Sequence, residues 1–551
     1  MTGIAGWWTL RSALRLQPLP IWPTAIWLVV VGGAVIARPP VFGVDSLYLS
    51  ASWWLWSEPD GAGAAFANEP PLLHWLVALG WQIFGVNEFW ARLVAPLFGL
   101  LTLVIAGPMA RMLWPKRPQT LIIAPIVLVG FGAFASMASL TVPDLLLAFF
   151  VLGGNACLLF ALRAQPMLGW ISFGAALALG ILSKGPVALL HMLPVALLVP
   201  WLWRARPIAL GRYYGALVAS LLLALVITLP WLMAPEGDWA TRLGSFGESA
   251  LGRIDSRPWY WLLLLAPLLL FPWFWWKPVW RSWQRQRRMP IDDGLRFAGV
   301  QFAVSLLACL LTAPRAAHAL LPALPMLALF VARMLTVQEN KPKDYHAALP
   351  ALPVLLAGLL FFLLNIVPFA HLDAVWREFM SPTGLPIWLG GTGLLSGLVA
   401  IGGGYLLGQA APRAFVARLV QLALFPALIA TAINIEFVTS LRDFFDPRPV
   451  AARIQSLEAA GRPVAVFGDY RGEYDLPGRL VAPLVPLTDA GAVLGWSAQH
   501  PEGVVVSYFQ GSTLRLPRRP LMLGAAGDDW VALWESADVV ESDGAVLATR
   551  F

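Results

Sequence analysis

The charged residues of this chain are sorted by the apolar stretches that separate them. About thirteen stretches are long enough to cross a bilayer, near 21–37, 91–110, 120–137, 144–162, 168–183, 186–203, 213–234, 259–276, 296–312, 317–335, 347–369, 385–408 and 417–437. A crossing helix needs about 20 apolar residues. One alternate set of connections holds 20 basic residues and four acids, the other 8 basic and 12 acids. Short loops rich in Lys and Arg stay on the cytoplasmic side. The first set includes Arg11 and Arg15, so the N-terminus is expected inside. An odd number of spans then puts the C-terminal tail and the carboxylate-bearing loops outside, where any chemistry is to be sought.

These constraints predict a polytopic α-helical membrane protein, and a hydrophobic fraction of 58% with only 13% charged residues agrees. The formal charge of +7 gives no reason to expect nucleic acid, because the excess basic residues sit in short inner loops. The first apolar segment, preceded by Arg11 and Arg15, can serve as its own start-transfer anchor, so no cleaved leader is expected. Cys157 and Cys309 both fall inside predicted helices, and no disulfide is expected.

Beyond Phe437 the chain changes character. From Glu436 onward it holds 10 basic and 15 acidic residues, and runs such as 463–467, 504–509 and 530–534 read as short strands between Gly, Pro and Asp. The expected organisation is a membrane domain over 1–437 and a small α/β domain outside the membrane over 438–551. No short-period repeat, low-complexity tract, P-loop or dinucleotide fingerprint occurs. Gly402-Gly403-Gly404 reads as close helix packing.

The first outer loop, 38–90, is too long for a connector. Leu47–Trp56 carries Trp53, Trp54 and Trp56, which favour headgroup depth. Pro70–Phe84 opens with prolines and is short for a span, so both segments are expected to be helices lying in the interface. A carboxylate close to hydrocarbon is a functional candidate by default. Asp45 is either such a group or a cap for the helix that follows. Glu69 is either a site acid or a favourable charge at a helix N-terminus. Asp144, after Pro143, has the same two readings. Lys184, in the turn Ser183-Lys184-Gly185-Pro186, is the only lysine in the short outer turns. It suits a phosphate at headgroup depth, or it snorkels to lipid headgroups.

The same pieces carry a resemblance. Val44-Asp45-Ser46-Leu47-Tyr48, Glu69-Pro70-Pro71-Leu72-Leu73-His74-Trp75-Leu76 and Phe84-Gly85-Val86-Asn87-Glu88-Phe89-Trp90-Ala91-Arg92-Leu93 resemble the first outer loop of the lipid A aminoarabinose transferases. Those are membrane glycosyltransferases of the GT-C class, related to protein O-mannosyltransferases. Thr141-Val142-Pro143-Asp144, Ser183-Lys184-Gly185-Pro186, Arg257-Pro258-Trp259-Tyr260-Trp261 and Arg315 with His318-Ala319-Leu320 follow in the family's order. The resemblance implies transfer of a sugar from a polyprenyl-phosphate donor to an envelope glycolipid or protein acceptor, at the outer face of a bacterial inner membrane. It implies Asp45 as catalytic base or acceptor-positioning group. It places Lys184, Arg257 and Arg315 at the donor phosphate, and Tyr48, Glu69, Asp144, Tyr260 and His318 in the substrate pocket. No cofactor follows from the residues; a divalent metal cation, as in relatives, is an open alternative. The family commonly has Glu-Lys-Pro-Pro where this chain has Asn68-Glu69-Pro70-Pro71. That change motivates the alternative of a catalytically altered sugar-binding relative. A transporter of lipid-linked sugars would show repeats and polar groups at mid-membrane, whereas here the helix interiors are nearly free of charge.

Overall fold

The structure is a computed structural model and describes residues 21–40, 44–60, 63, 66–203, 209–234, 240, 242, 260–312, 317–337, 346–366, 394–438, 442–468, 470–509, 518–526, 529–544 and 546–547. Arg11, Arg15, Arg257 and Arg315 lie outside the described residues.

The helices follow the apolar stretches. In chain order they are α1 (Ile21–Ala37), α2 (Asp45–Ser57), α3 (Leu72–Phe84), α4 (Glu88–Leu113), α5 (Thr120–Val129), α6 (Gly132–Met137) and α7 (Pro143–Arg163). Then come α8 (Pro166–Lys184), α9 (Val187–Leu202), α10 (Leu210–Leu232), α11 (Trp261–Leu269), α12 (Lys277–Gln286) and α13 (Asp293–Thr312). The last of the run are α14 (Leu324–Leu335), α15 (Ala348–Ile366), α16 (Leu394–Gln409) and α17 (Phe415–Glu436). Among the described residues, six of these (α4, α7, α8, α10, α13 and α17) are long and apolar enough to cross a membrane by length and composition. Three expected spans are interrupted. The 120–137 stretch breaks between α5 and α6, where a Cβ on Gly130 would lie 2.7 Å from the Trp273 ring. The 259–276 stretch is α-helical only over α11, before Pro272 and a 3-10 turn at Trp273–Trp275. The 317–335 stretch begins as a 3-10 turn, Ala317–Leu320, and becomes α-helical at Leu324.

Local signals set the ends. Asn87 caps α4, its Oδ1 accepting the Trp90 N–H at 2.7 Å, with Glu88 in the first turn and Arg111 in the last. Pro143 opens α7, where its missing N–H is no loss. Of the glycine run, a Cβ on Gly403 would lie 2.7 Å from Leu428 and one on Gly404 3.1 Å from Val354, while Gly402 faces open space. Two of the three glycines therefore serve close packing. α7 packs against α4, α8 and α9. It is the most buried of the six long helices, with 67% of its apolar window inside the protein, and Asp144 stands in its first turn.

The two helices expected within 38–90 are α2 and α3. On α3, Trp75, Leu79 and Ile83 are exposed at four-residue spacing, an apolar stripe suited to lying against a bilayer.

After α17 come α18 (Arg448–Ala459), β1 (Val464–Phe467), the short α19 (Asp475–Gly478), β2 (Val485–Leu487), α20 (Ala490–Gln499), β3 (Val504–Phe509), β4 (Met522–Ala526), β5 (Asp529–Glu535) and α21 (Ser536–Glu541). The sheet order is β2-β1-β3-β5-β4, parallel across β2, β1 and β3 and antiparallel beyond. Both faces of β3 are buried: Val504 and Val506 join the main core, and Val505 packs with Ala465, Trp534 and Val539 on the other side. Burial on both faces explains why these strands read as continuous apolar runs rather than alternating ones.

Candidate active site

Asp45 is the first residue of α2, and Val44, at the N-cap, makes no side-chain cap bond. Its carboxylate reaches across 96 positions: Oδ1 accepts the Thr141 N–H at 2.6 Å, and the side chain is fully buried. The same loop is held from α1, whose Arg38 guanidinium donates to Ser139 Oγ at 2.8 Å. Arg38 is also within electrostatic reach of Asp45 and Arg92. Tyr48 follows on α2, half-buried. Asp45 thus has a tertiary contact: it fixes the loop that leads into α7.

Three residues after Thr141 stands Asp144, 1% exposed, in a cluster of its own. Its Oδ1 accepts from the Lys184 ammonium, and its Oδ2 lies 3.0 Å from His318 Nδ1. Lys184 and His318 keep 20% and 24% of their side-chain surface open. A buried carboxylate thus lies beneath two partly exposed nitrogen groups, and the outward face is the one that attracts an anion. Lys184 is therefore paired rather than a lone cation. Thr141 and Asp144 are at most about 10 Å apart along an extended chain, and Pro143 between them is stiff. One short segment therefore carries the contacts of both carboxylates.

The elements behind this cluster explain its placement. Lys184 ends α8, where the helix dipole favours a cation. Gly185 then takes φ +66°, a conformation that suits glycine, and packs toward Pro70, next to Glu69. His318 sits in a 3-10 turn tied down by the Cys309 thiol of α13, which donates to the Ala319 carbonyl. Deeper, Gln301 of α13 donates to the His191 carbonyl of α9 at 2.9 Å.

Glu69 precedes α3 and is not in its first turn. Its Oε2 lies 3.5 Å from His74 Nε2, and His74 Nδ1 is 2.8 Å from Ser52 Oγ of α2. These groups face a cavity of about 350 Å³, also walled by Trp56, Trp75 and Trp231. At its far side Arg242 donates to the carbonyls of Trp231, Leu232 and Ala234 at 2.6, 3.1 and 2.9 Å, closing the end of α10. This open space therefore adjoins Glu69 and His74, while Asp45 is fully buried. Tyr260 stands at the start of α11, 47% exposed. Arg38, Arg92, His74 and Arg242 received no role from the sequence. Their signal is weak, since each is one polar residue in an apolar or loop context.

Ligand-type side chains meet in pairs here. Among the described residues no three His, Cys, Asp or Glu groups come close enough to hold a metal ion.

Residues 49–237 match the family described as dolichyl-phosphate-mannose-protein mannosyltransferase. The matched segment contains Glu69, Asp144 and Lys184 and starts four residues after Asp45. The undecaprenyl phosphate-alpha-4-amino-4-deoxy-L-arabinose arabinosyl transferase of Pseudomonas aeruginosa (strain UCBPP-PA14) is 32% identical over 253 residues, 43% of this chain and 44% of that protein. A second such transferase, from Pseudomonas fluorescens (strain Pf0-1), is 28% identical over 297 residues, 51% of this chain and 52% of its own length. The aligned part thus spans about half the length of these relatives. The crystal structure of ArnT from Cupriavidus metallidurans in the apo state superposes with a TM-score of 0.67 at 17% identity, covering 97% of this chain and 99% of that one. The form of that protein bound to undecaprenyl phosphate gives the same TM-score and identity. The chain therefore has the ArnT fold, and the resemblance read from its motifs is borne out by the sequence matches.

Proposed function

We propose that this chain is a multi-pass membrane glycosyltransferase that moves a sugar from a polyprenyl-phosphate donor to an envelope glycolipid of the lipid A type. The observation that carries the reading is the Asp144–Lys184–His318 cluster, two nitrogen groups opening outward over a buried carboxylate. In the reaction an acceptor oxygen bonds to the anomeric carbon while the carbon–oxygen bond to the donor phosphate breaks. The electron pair leaves with the phosphate. Lys184, a point cation at a helix end, stabilises that growing charge, as preorganised groups aimed at developing charge do. Asp144 orients Lys184 and His318. Arg257 and Arg315 remain candidates for the same phosphate through their motifs.

The acceptor side is assigned to Asp45 and the cavity beside Glu69. A hydroxyl acceptor gives its proton to a carboxylate, and Asp45 is the candidate. An acceptor phosphate is already ionised and needs orientation instead. Because Asp45 is closed behind Thr141, acceptor entry in this reading requires the 139–142 segment to release it. Glu69, Tyr48 and Tyr260 are assigned to the walls of the sugar and acceptor path.

The charge asymmetry supports thirteen spans in a bacterial inner membrane, with a cytoplasmic N-terminus and a periplasmic C-terminal domain over 438–551. Reporter fusions after Arg448 test the orientation: activity of a cytoplasmic reporter alone would place the site on the wrong face. Function is tested by comparing envelope glycolipid masses in wild-type and deletion strains. Loss of a species heavier by one sugar residue is expected; identical spectra under conditions of expression would reject the reading.

A further inference from the structure

α2 is held from two sides. On one side Asp45 is fixed to Thr141, and Ser52, seven residues on and so on the same helical face, meets His74. Ser50 and Trp54, one turn apart, lie on another face, about 140° and 180° around the axis from Asp45 at 3.6 residues per turn. That second face meets the C-terminal unit. Asp475, at the start of α19 and 3% exposed, accepts at Oδ2 from Ser50 Oγ at 2.5 Å and from Trp54 Nε1 at 2.9 Å. Its Oδ1 accepts from Tyr470 OH at 2.6 Å. Trp53 Nε1 adds a bond to the Leu480 carbonyl at 3.0 Å. The approach is close: Gly472 has φ +76°, and a Cβ there would lie 2.2 Å from that of Ser50. Outside α2 the same unit is tied by Arg448 to Glu88 at 3.2 Å and by Arg479 to the Val86 carbonyl at 3.0 Å.

We propose that Asp475 is a positioning residue of the transfer reaction: from the C-terminal unit it sets the rotation of α2 about its own axis, and with it the placement of Asp45. The proposal rests on the assignment of Asp45 made above. Three donors converge on this one carboxylate, and two of them belong to the helix that Asp45 begins. A side-chain tip stands about 5–6 Å from a helix axis, so a 20° turn of α2 carries the Asp45 carboxylate by roughly 2 Å. Misplacement by 1 Å can cost about 100-fold in rate.

The test uses the full-length protein in nanodiscs with a labelled polyprenyl-phosphate sugar. Asp475→Asn keeps the shape but turns part of an acceptor into a donor, facing the Ser50 hydroxyl and the Trp54 N–H. A fall in kcat of about 10- to 100-fold is expected, with donor KM within about twofold, because the phosphate contacts lie elsewhere. Ser50→Ala should fall in the same direction, and Ser50→Ala with Asp475→Asn should be no worse than Asp475→Asn alone. Equal losses in kcat and donor affinity, or additive effects of the two changes, would overturn the proposal. Should Asp475→Asn not fold, Ser50→Ala decides: wild-type kcat overturns the proposal. Hydrogen exchange across residues 45–57 separates this idea from the functional reading. If no form transfers sugar, the functional reading fails. The clamp is then still supported by at least tenfold faster exchange in Asp475→Asn, or refuted by unchanged exchange.

Discussion

Removing Asp144 should reveal what its carboxylate does for Lys184 and His318. In Asp144→Ala the Lys184 ammonium, 20% exposed, loses the counter-ion that the fold places under it. Breaking a buried ion pair by deleting one partner costs about 3–5 kcal/mol, because the remaining charge is left uncompensated. Thermal unfolding of the purified protein in detergent, with and without polyprenyl phosphate, reads both halves of the argument. Without lipid the variant should melt earlier by an amount in that range. With lipid, part of the loss should return, because a bound phosphate supplies an anion to the same groups and ligand binding stabilises the folded state by mass action. The lipid-induced shift should therefore be larger in Asp144→Ala than in the wild type. The double variant Asp144→Ala/Lys184→Ala should lose less than the sum of the single changes, since the stranded cation has gone too. A loss under about 1 kcal/mol, or equal lipid-induced shifts in both proteins, would refute the picture of a carboxylate that organises a phosphate site.

Asp45→Asn keeps an oxygen able to accept the Thr141 N–H, so it should fold like the wild type yet lose about 10²–10⁴ of its turnover on a hydroxyl acceptor; steady-state kinetics check this, and near-wild-type turnover would leave Asp45 as an anchor for its loop only. Glu473, in the C-terminal unit, is 7% exposed, and burial pushes its carboxyl from 4.5 up to about 7 against the pull of the Arg471 and Glu473 backbone N–H groups. A carboxyl raised in the folded state binds its proton more tightly there than in the unfolded chain, so stability falls as pH rises from 4.5 to 7, and the full penalty is present above 7. At 1.36 kcal/mol per pH unit that penalty is on the order of 3 kcal/mol. Hydrogen exchange of residues 470–480 at pH 5 and pH 8 should show loosening at the higher pH, which Glu473→Gln abolishes; an unchanged pH dependence in Glu473→Gln would contradict the assignment.

What the sequence reveals here is whatever repeats locally. Apolar length marks the helices, and the runs 463–467, 504–509 and 530–534 stand out as strands because both faces of their sheet are covered. Pro143, Gly185 and Asn87 announce helix ends from single residues. The individual candidates Asp45, Asp144, Lys184 and Glu69 were visible as charges beside hydrocarbon. Their pairings were not. Asp144 meets Lys184 40 positions away and His318 174 positions away, Asp45 meets Thr141 across 96, and Ser50 meets Asp475 across 425. No helical or strand period encodes such pairings; they follow from how the helices pack. The same limit explains why two readings stay open for Asp45 and Asp144 in the sequence. Asp45 and Asp144 sit where a helix cap would sit, and only the third dimension shows their oxygens turned to other elements. The interrupted stretches at 120–137 and 259–276 look continuous by composition, and their breaks answer contacts such as that of Gly130 with Trp273.

The central claim is that Lys184, steered by Asp144, faces the phosphate of a lipid-linked sugar as it leaves. The most direct measurement is single-turnover release of labelled sugar from a polyprenyl-phosphate donor, by the wild type, Lys184→Ala and Lys184→Arg. Lys184→Ala should be slower in the chemical step as well as weaker in donor binding, because the leaving phosphate gains charge in the transition state. Lys184→Arg should recover only part of the rate, since a planar guanidinium does not replace a compact ammonium paired to Asp144. Wild-type single-turnover rates and donor affinity in both variants would contradict the account.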